Sequence, residues 1–283
     1  MGTDVDRTGS GAQTRVEQRA VSLAHRMLAG AGRASVVAYR VPGQPVLSAV
    51  AHGLTRRGEL VLAATVDPAI VPEDALVTGE PVDVRMDITK VAPEPDVRIV
   101  AASAHLLARL EWLDPLDAEL LVGTGEVPEL LAGVAAAPGG RLAVLDAPRV
   151  LLHDGSGVTP LDYGGILTHH LRGAGSGDLA QDVEAAGFDA VMDVDRLDLA
   201  SVCDAAEQGW IPAHLLTQKP SAGGCAHTTG RDFVVDVDAT GVTVLRYGAR
   251  LTSVYFVPFS GERTAPADLG ANLQHLLGAR VAA

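Results

Sequence analysis

Residues 82–88 read Val-Asp-Val-Arg-Met-Asp-Ile, an unbroken alternation of apolar and polar side chains. One face of this extended stretch carries only apolar residues, namely Val82, Val84, Met86 and Ile88. The pattern predicts a strand that packs on a core with one face and meets water with the other, which is typical of an antiparallel sheet.

Further runs that favour strands lie on both sides of this one. Glycine, proline and other turn-forming residues separate them, which favours antiparallel neighbours, and the runs span residues 34–40, 46–51, 60–65, 97–110, 142–145, 150–153 and 158–161. The expected fold class is therefore α+β, with an antiparallel split β-barrel flanked by helices.

The helix before the first strand is marked by capping residues at both ends. Thr14 and Glu17 have capping-box spacing, and an apolar stripe continues to Leu28 before Gly30 and Gly32 stop the helix. Residues 1–13 contain little apolar surface, so we expect them to be disordered. Two further helices are predicted at 114–123 and 127–137.

A glycine-rich linker at 172–178 divides the chain into two predicted domains, 14–171 and 179–283. The second domain is expected to be a small α/β domain, with helices at 179–186 and 197–207, the latter capped by Asp195. Three strands follow at 233–237, 242–246 and 251–257, and a leucine stripe from Leu269 to Leu277 predicts a closing helix.

Composition narrows the range of partners. The chain has 283 residues, of which 47% are hydrophobic, and a formal net charge of −13. It is too apolar for a disordered protein and too acidic for nucleic-acid or anionic-membrane binding. It lacks a run of about 18 apolar residues, and its first residues lack the apolar core of a secretory signal, so we expect a cytoplasmic protein.

The order of elements resembles the split-barrel flavin-binding fold. The C-terminal pattern FVVDVDATGVTVL (233–245), TSVYFVPFS (252–260) and DLGANLQHLL (268–277) is similar to a small α/β domain that accompanies split barrels. Such pairs occur in haem-utilisation proteins of the HugZ type and in the plant glutamyl-tRNA reductase-binding protein. The resemblance implies a homodimer, and it implies tetrapyrrole handling, flavin chemistry or protein binding as functions.

Flavin chemistry would require cations or clustered N–H donors for the FMN phosphate, just after the third strand. Residues 66–74, Val-Asp-Pro-Ala-Ile-Val-Pro-Glu-Asp, instead bring carboxylates and two prolines to this place. Arg56 and Arg57 in the preceding turn could compensate. An FMN-dependent oxidoreductase of the pyridoxamine-phosphate-oxidase-like class therefore stays an alternative.

A haem protein needs an axial ligand, usually histidine, and cations for the propionates. In HugZ-type proteins the iron ligand comes from a segment after the barrel, which here corresponds to His169 and His170, next to Ile166-Leu167-Thr168. The resemblance thus implies that His169 or His170 binds iron while Arg149 or Arg172 pairs with a propionate. A solvated segment between domains is the competing interpretation.

The other histidines have simpler interpretations. His52 and His105 lie in or beside strands, where we expect them to be hydrogen-bonded at a barrel face, and His25 and His275 lie on helices, where we expect surface or half-buried positions. Cys225 and His227 share a loop, but two ligands fall short of a zinc site.

The leading hypothesis is a haem-binding or haem-degrading split-barrel protein in iron or haem handling. If it degrades haem, the bound iron supplies most of the chemistry. The second alternative, beside the flavin enzyme, is a non-catalytic regulatory protein that contacts a partner through its C-terminal domain. The sequence does not separate this interpretation from haem binding.

Overall fold

The computed structural model describes residues 6–65, 79–174, 180–222, 228–260 and 265–278. These residues form an α+β fold with two antiparallel sheets, which confirms the expected fold class. The elements of the first sheet and its helices are α1 (Asp6–Leu28), β1 (Arg33–Val37), β2 (Val46–Leu54), β3 (Leu60–Thr65), β4 (Val82–Val91), β5 (Val100–Trp112), α2 (Pro115–Gly123), α3 (Glu129–Ala136), β6 (Gly140–Asp146), β7 (Arg149–Asp154), β8 (Gly157–Asp162) and α4 (Tyr163–Ala174).

The first sheet closes on itself into a split barrel. Its strands run in the order β4-β1-β2-β3-β6-β5-β7-β8, and β4 also pairs with β5, so that six strands complete the ring. Strand β5 provides the split, because residues 109–112 pair with β6 while residues 103–105 pair with β7. The alternation in β4 is as predicted, with Val84, Met86 and Ile88 buried.

Helix α1 packs on the barrel through a buried stripe that includes Leu23, Met27 and Leu28. Gly30 and Gly32 follow it with φ of 116° and 100°, conformations that favour glycine, so the predicted C-terminal signal is confirmed. The predicted start at Thr14 is wrong, because α1 begins at Asp6 and residues 6–13 belong to the helix.

The second sheet has the order β10-β11-β12-β9, and three helices pack on it. Asp195 caps its helix as predicted, since its carboxylate accepts hydrogen bonds from the N–H groups of Leu197 and Asp198. The elements are α5 (Ala180–Met192), α6 (Arg196–Glu207), β9 (His214–Pro220), β10 (Arg231–Asp238), β11 (Gly241–Tyr247), β12 (Leu251–Pro258) and α7 (Leu269–Gly278). The sequence interpretation missed β9.

Buried ion pairs join the two sheets. Arg26 of α1 contacts Asp236 and Asp238 of β10 and Glu184 of α5, while Lys90 of β4 lies 2.6 Å from the same glutamate. Burial raises the pKa of Asp236, but Arg26 and Lys90 outweigh it and hold that pKa at about 2. The buried charges on both sides are thus paired, which fixes α1 between the barrel and the second sheet.

The segment after the barrel differs from the sequence interpretation. Ile166, Leu167 and Thr168 were expected as the last barrel segment, but they lie in α4, which starts directly after β8. Residues 172–174 also belong to α4 rather than to a linker, and residues 175–179 lie outside the described residues, so the two-domain division stays a prediction. In the described part of the chain, no helix is long and apolar enough to cross a bilayer.

Candidate functional site

The predicted histidine pair lies on α4, where that helix packs against α1. His170 Nδ1 lies 3.0 Å from Nε2 of His25, and His170 Nε2 lies 3.0 Å from the carbonyl oxygen of Thr55. Because a carbonyl can only accept, His170 Nε2 carries the hydrogen, so in the neutral ring Nδ1 accepts from His25. Both ring nitrogens of His170 are therefore occupied by contacts within the protein.

His169 lies beside the same partner, with its ring centroid 5.1 Å from that of His25. His25 is 8% exposed and therefore buried. The sequence interpretation, which expected a surface or half-buried position, is wrong here. Among the described residues, no group of three histidine, cysteine, aspartate or glutamate side chains has a metal-binding arrangement. The assignment of His169 and His170 to an iron site stays a prediction.

The predicted arginines lie on different elements. Arg172 is exposed in the last turn of α4. Arg149 is exposed at the start of β7, where it lines a groove on the outer face of the barrel. The structure thus separates Arg149 from the histidine pair by element and places it beside a different histidine, His105.

This outer-face groove has a volume of about 710 Å³ and is lined by Arg85, Asp87, His105, Leu106, Leu107, Pro148, Arg149 and Leu151. Strand register assembles it, because residues directly opposite each other on antiparallel strands share a face. On β4 and β5, Asp87 lies opposite His105, and on β5 and β7, His105 lies opposite Leu151.

The apolar part of the groove is open to solvent. Leu107 is 61% exposed and Leu151 is 42% exposed, and Val158 of β8, whose partner across the sheet is His153, extends the same face. Large apolar side chains exposed together on one surface mark ligand or protein contact sites more often than isolated ones do. The sheet that supports them is buried on its other face, so their positions are fixed.

The charged part of the groove is organised around Asp87. One carboxylate oxygen lies 2.6 Å from His105 Nδ1, and the other accepts a hydrogen bond of 3.0 Å from Arg85 Nε. Arg149 forms no ion pair within the described part of the chain. The lining therefore contains two arginines and one carboxylate, although the chain as a whole has a net charge of −13.

His105 is held in one orientation. A carboxylate can only accept, so Nδ1 carries the hydrogen of the neutral ring, and Nε2 keeps its lone pair. Within the described residues Nε2 has no hydrogen-bond partner, and the ring meets His153 edge to face, with centroids 4.8 Å apart. His105 was expected to be hydrogen-bonded at a barrel face, which is confirmed, but the sequence interpretation gave it no binding role.

His52, in contrast to His105, is a strand histidine that is buried. It is 5% exposed, and its Nε2 lies 2.7 Å from the carbonyl oxygen of Met27. Burial lowers its pKa, and the hydrogen bond to Met27 only partly opposes this effect. His52 is thus a structural residue between β2 and α1, as predicted.

A hollow lies beside Thr65 at the end of β3, near the place where the sequence analysis expected a flavin phosphate. Of its described lining residues, Glu129 alone is charged, and the others include Gly133, Val134 and Gln181. A carboxylate repels phosphate, so these residues do not favour FMN. Residues 66–74, on which the sequence argument about FMN depended, lie outside the described residues.

Cys203 is the one cysteine among the described residues, and it adds no reactive group. Cys203 is buried in α6, and burial raises the pKa of its thiol, which keeps the thiol protonated at neutral pH. Cys225 and His227 lie outside the described residues.

Comparisons with known proteins concern the architecture. No protein-family model and no curated protein matches the sequence. Among solved structures, the heme binding protein from Mycobacterium smegmatis is 14% identical, with 91% of this chain and 96% of that chain covered and a TM-score of 0.49. A protein of unknown function from Agrobacterium tumefaciens is 15% identical, covers 92% and 96% of the two chains, and has a TM-score of 0.38. Both TM-scores lie below 0.5, so neither similarity supports an argument about the function of this chain.

Proposed function

We propose that this protein binds haem or a related tetrapyrrole in the outer-face groove. One observation carries the proposal: an exposed apolar surface on a rigid sheet lies directly beside two arginines and a histidine whose Nε2 has no described partner. These three features match haem, which has an apolar plane, two carboxylates and an iron centre.

The apolar contribution comes from Leu107 and Leu151, whose side chains flank His105 along the sheet. Burying them against a flat apolar ligand removes exposed hydrophobic surface from water. The groove volume of about 710 Å³ lies within the range of small-molecule sites, about 300–1,000 Å³. The groove can therefore cover one face of the ring.

The charges select an anionic ligand. Arg149 has no carboxylate partner in the described structure, so its guanidinium is available to pair with a propionate. Arg85 already contacts Asp87, which also contacts His105. Arginine suits this role because its planar guanidinium binds a carboxylate through two parallel hydrogen bonds. Bound haem would supply an iron centre, and the protein would supply its orientation and surroundings.

Titration of the purified chain with hemin tests the proposal. We expect a saturable Soret band with one hemin per chain, and at least tenfold weaker binding in Leu107→Glu, which places a carboxylate in the apolar wall. Leu130→Glu is the matched control, because Leu130 is similarly exposed (67%) but lies on α3, outside the groove. If hemin does not saturate at one site, or if both variants bind as the unchanged chain does, the proposal is wrong.

The homodimer implied by the split-barrel resemblance stays a prediction. Light scattering of the chain with and without hemin measures it directly.

A further inference from the structure

We infer that His105 is the axial ligand of the iron and that Asp87 is the positioning residue that fixes its orientation. This inference rests on the proposed function, which concerns the groove as a whole. It assigns the metal contact to a strand residue instead of the His169–His170 pair.

The first argument is the direction of the hydrogen bond. Asp87 engages Nδ1 of His105 at 2.6 Å, which leaves Nε2 as the nitrogen with a lone pair. Metal-bound histidines almost always donate their other ring N–H to a carboxylate, a carbonyl or water. The Asp87–His105 pair already has this arrangement.

The second argument is rigidity. Asp87 and His105 are directly paired residues in the β4–β5 ladder, which continues through ten paired positions from Val82–Leu110 to Val91–Val100. Arg85 holds the second carboxylate oxygen of Asp87, and the His153 ring packs edge to face against His105. The imidazole is thus held at the sheet surface by Asp87 and by the ring of His153, as a preorganised ligand requires.

The third argument is a comparison with two other histidines, His170 and His52, whose ring nitrogens have partners within the protein. His170 uses both ring nitrogens within the protein, and His52 is buried with its Nε2 on a backbone carbonyl. His105 combines partial exposure, with 40% of its side chain accessible, with a carboxylate partner and a place between apolar residues and arginines.

Absorption and resonance Raman spectra of the hemin complex test the assignment. We expect the unchanged chain to show histidine ligation, which His105→Ala and His105→Gln lose together with at least tenfold in affinity, and which added imidazole restores. His275→Ala is the matched control, since it removes an exposed histidine on α7, outside the groove, and should retain the spectrum. If the spectrum of the hemin complex is the same in the His105 variants as in the unchanged chain, the assignment is wrong.

Asp87→Asn tests the positioning role separately. The variant should still bind hemin through His105, but the weaker hydrogen bond should make the imidazole a poorer electron donor. We therefore expect a higher iron reduction potential and a lower iron–histidine stretching frequency in the ferrous complex. If neither changes, Asp87 has no such role.

The two proposals fail in different ways. If the unchanged chain takes up no hemin, the proposed function is wrong. If it takes up hemin in the groove, as Leu107→Glu reports, but with a spectrum independent of His105, only the ligand assignment is wrong.

Discussion

The α1–α4 contact and the outer-face groove both place a histidine beside a second histidine. The two regions differ in whether a ring nitrogen is left without a partner in the protein. In the first region His170 lies between His25 and the Thr55 carbonyl, and both nitrogens are used. In the second region Nδ1 of His105 contacts Asp87, and Nε2 has no hydrogen-bond partner within the described residues.

The difference teaches that neighbouring histidines in a sequence are weak evidence for a ligand site. The backbone carbonyl of Thr55 and the turn at Gly58 determine what His170 does, and neither is visible in the local sequence. The proposal therefore gives the first region a structural role and the second a binding role, and four predictions test this division.

The largest effect is expected at Gly58, where α4 packs on the turn between β2 and β3. Its φ is +84°, and a Cβ there would overlap with Leu167 Cδ1 and lie 3.1 Å from His170 Cδ2. Gly58→Ala should lower the free energy of unfolding by about 2–4 kcal/mol, from backbone strain and overpacking together.

Gly43→Ala is the matched control for backbone strain. Gly43 has a φ of +80°, but no heavy atom lies within 4 Å of the Cβ position. It should lose about 1 kcal/mol, from strain alone. Equal losses in urea unfolding of the two variants would contradict close packing of α4 on this turn.

The second prediction concerns His170 itself. His170→Ala leaves His25 and the Thr55 carbonyl without this partner, and should cost about 1–3 kcal/mol of unfolding free energy while hemin affinity stays unchanged. His105→Ala should show the reverse, with stability changed by less than about 0.5 kcal/mol, as for other surface substitutions. A folded His170→Ala variant that loses the histidine-ligated spectrum would instead support the sequence-based assignment.

Most of the fold could be predicted because its signals are local. The alternation in β4, the turn residues between strands and the Asp195 cap each act over a few residues, and each is confirmed. Helix α4 was missed because it begins Tyr-Gly-Gly, with two residues of poor helix propensity. Contacts distant in sequence support it, including the hydrogen bond of 2.8 Å from the Tyr163 hydroxyl to the Gly58 carbonyl.

The groove could be predicted only in part. Alternation alone places Arg85 and Asp87 on the solvent face of β4, and Arg149 was named as a propionate partner from the resemblance. That Asp87 lies opposite His105 depends on the register between β4 and β5, and a shift of one residue would turn His105 to the other face. The sequence does not determine this register, because the loop between the strands permits several.

The third prediction uses Tyr163, which holds the start of α4. Burial, and then the charge of Glu59, raise the pKa of its phenol to about 12. Since the folded state favours the neutral phenol, its contribution to stability is complete below pH 10 and is lost as the pH rises towards 12. We expect the unfolding free energy to fall by about 1 kcal/mol between pH 9 and pH 11 through this group. Tyr163→Phe should lack this part of the loss, and an identical profile in both proteins would contradict it.

The smallest effect is expected on hemin affinity when Arg149 or Arg172 is replaced. The comparison of these two variants shows which arginine lies beside the anionic groups of the ligand. Arg149→Ala should weaken hemin binding three- to tenfold, about 1 kcal/mol, because an exposed ion pair contributes little. The loss should shrink at high salt, which screens the charges.

Arg172→Ala is the matched control for this prediction, because Arg172 is also exposed but lies on α4 beside the other histidine region. It should leave hemin affinity unchanged at every salt concentration. If the two results are exchanged, the propionates lie against Arg172 on α4, beside the histidine pair that the sequence interpretation named as iron ligands. This result would place the haem site on α4 instead of β5, because haem bound against α4 could not also cover Leu107 and Leu151.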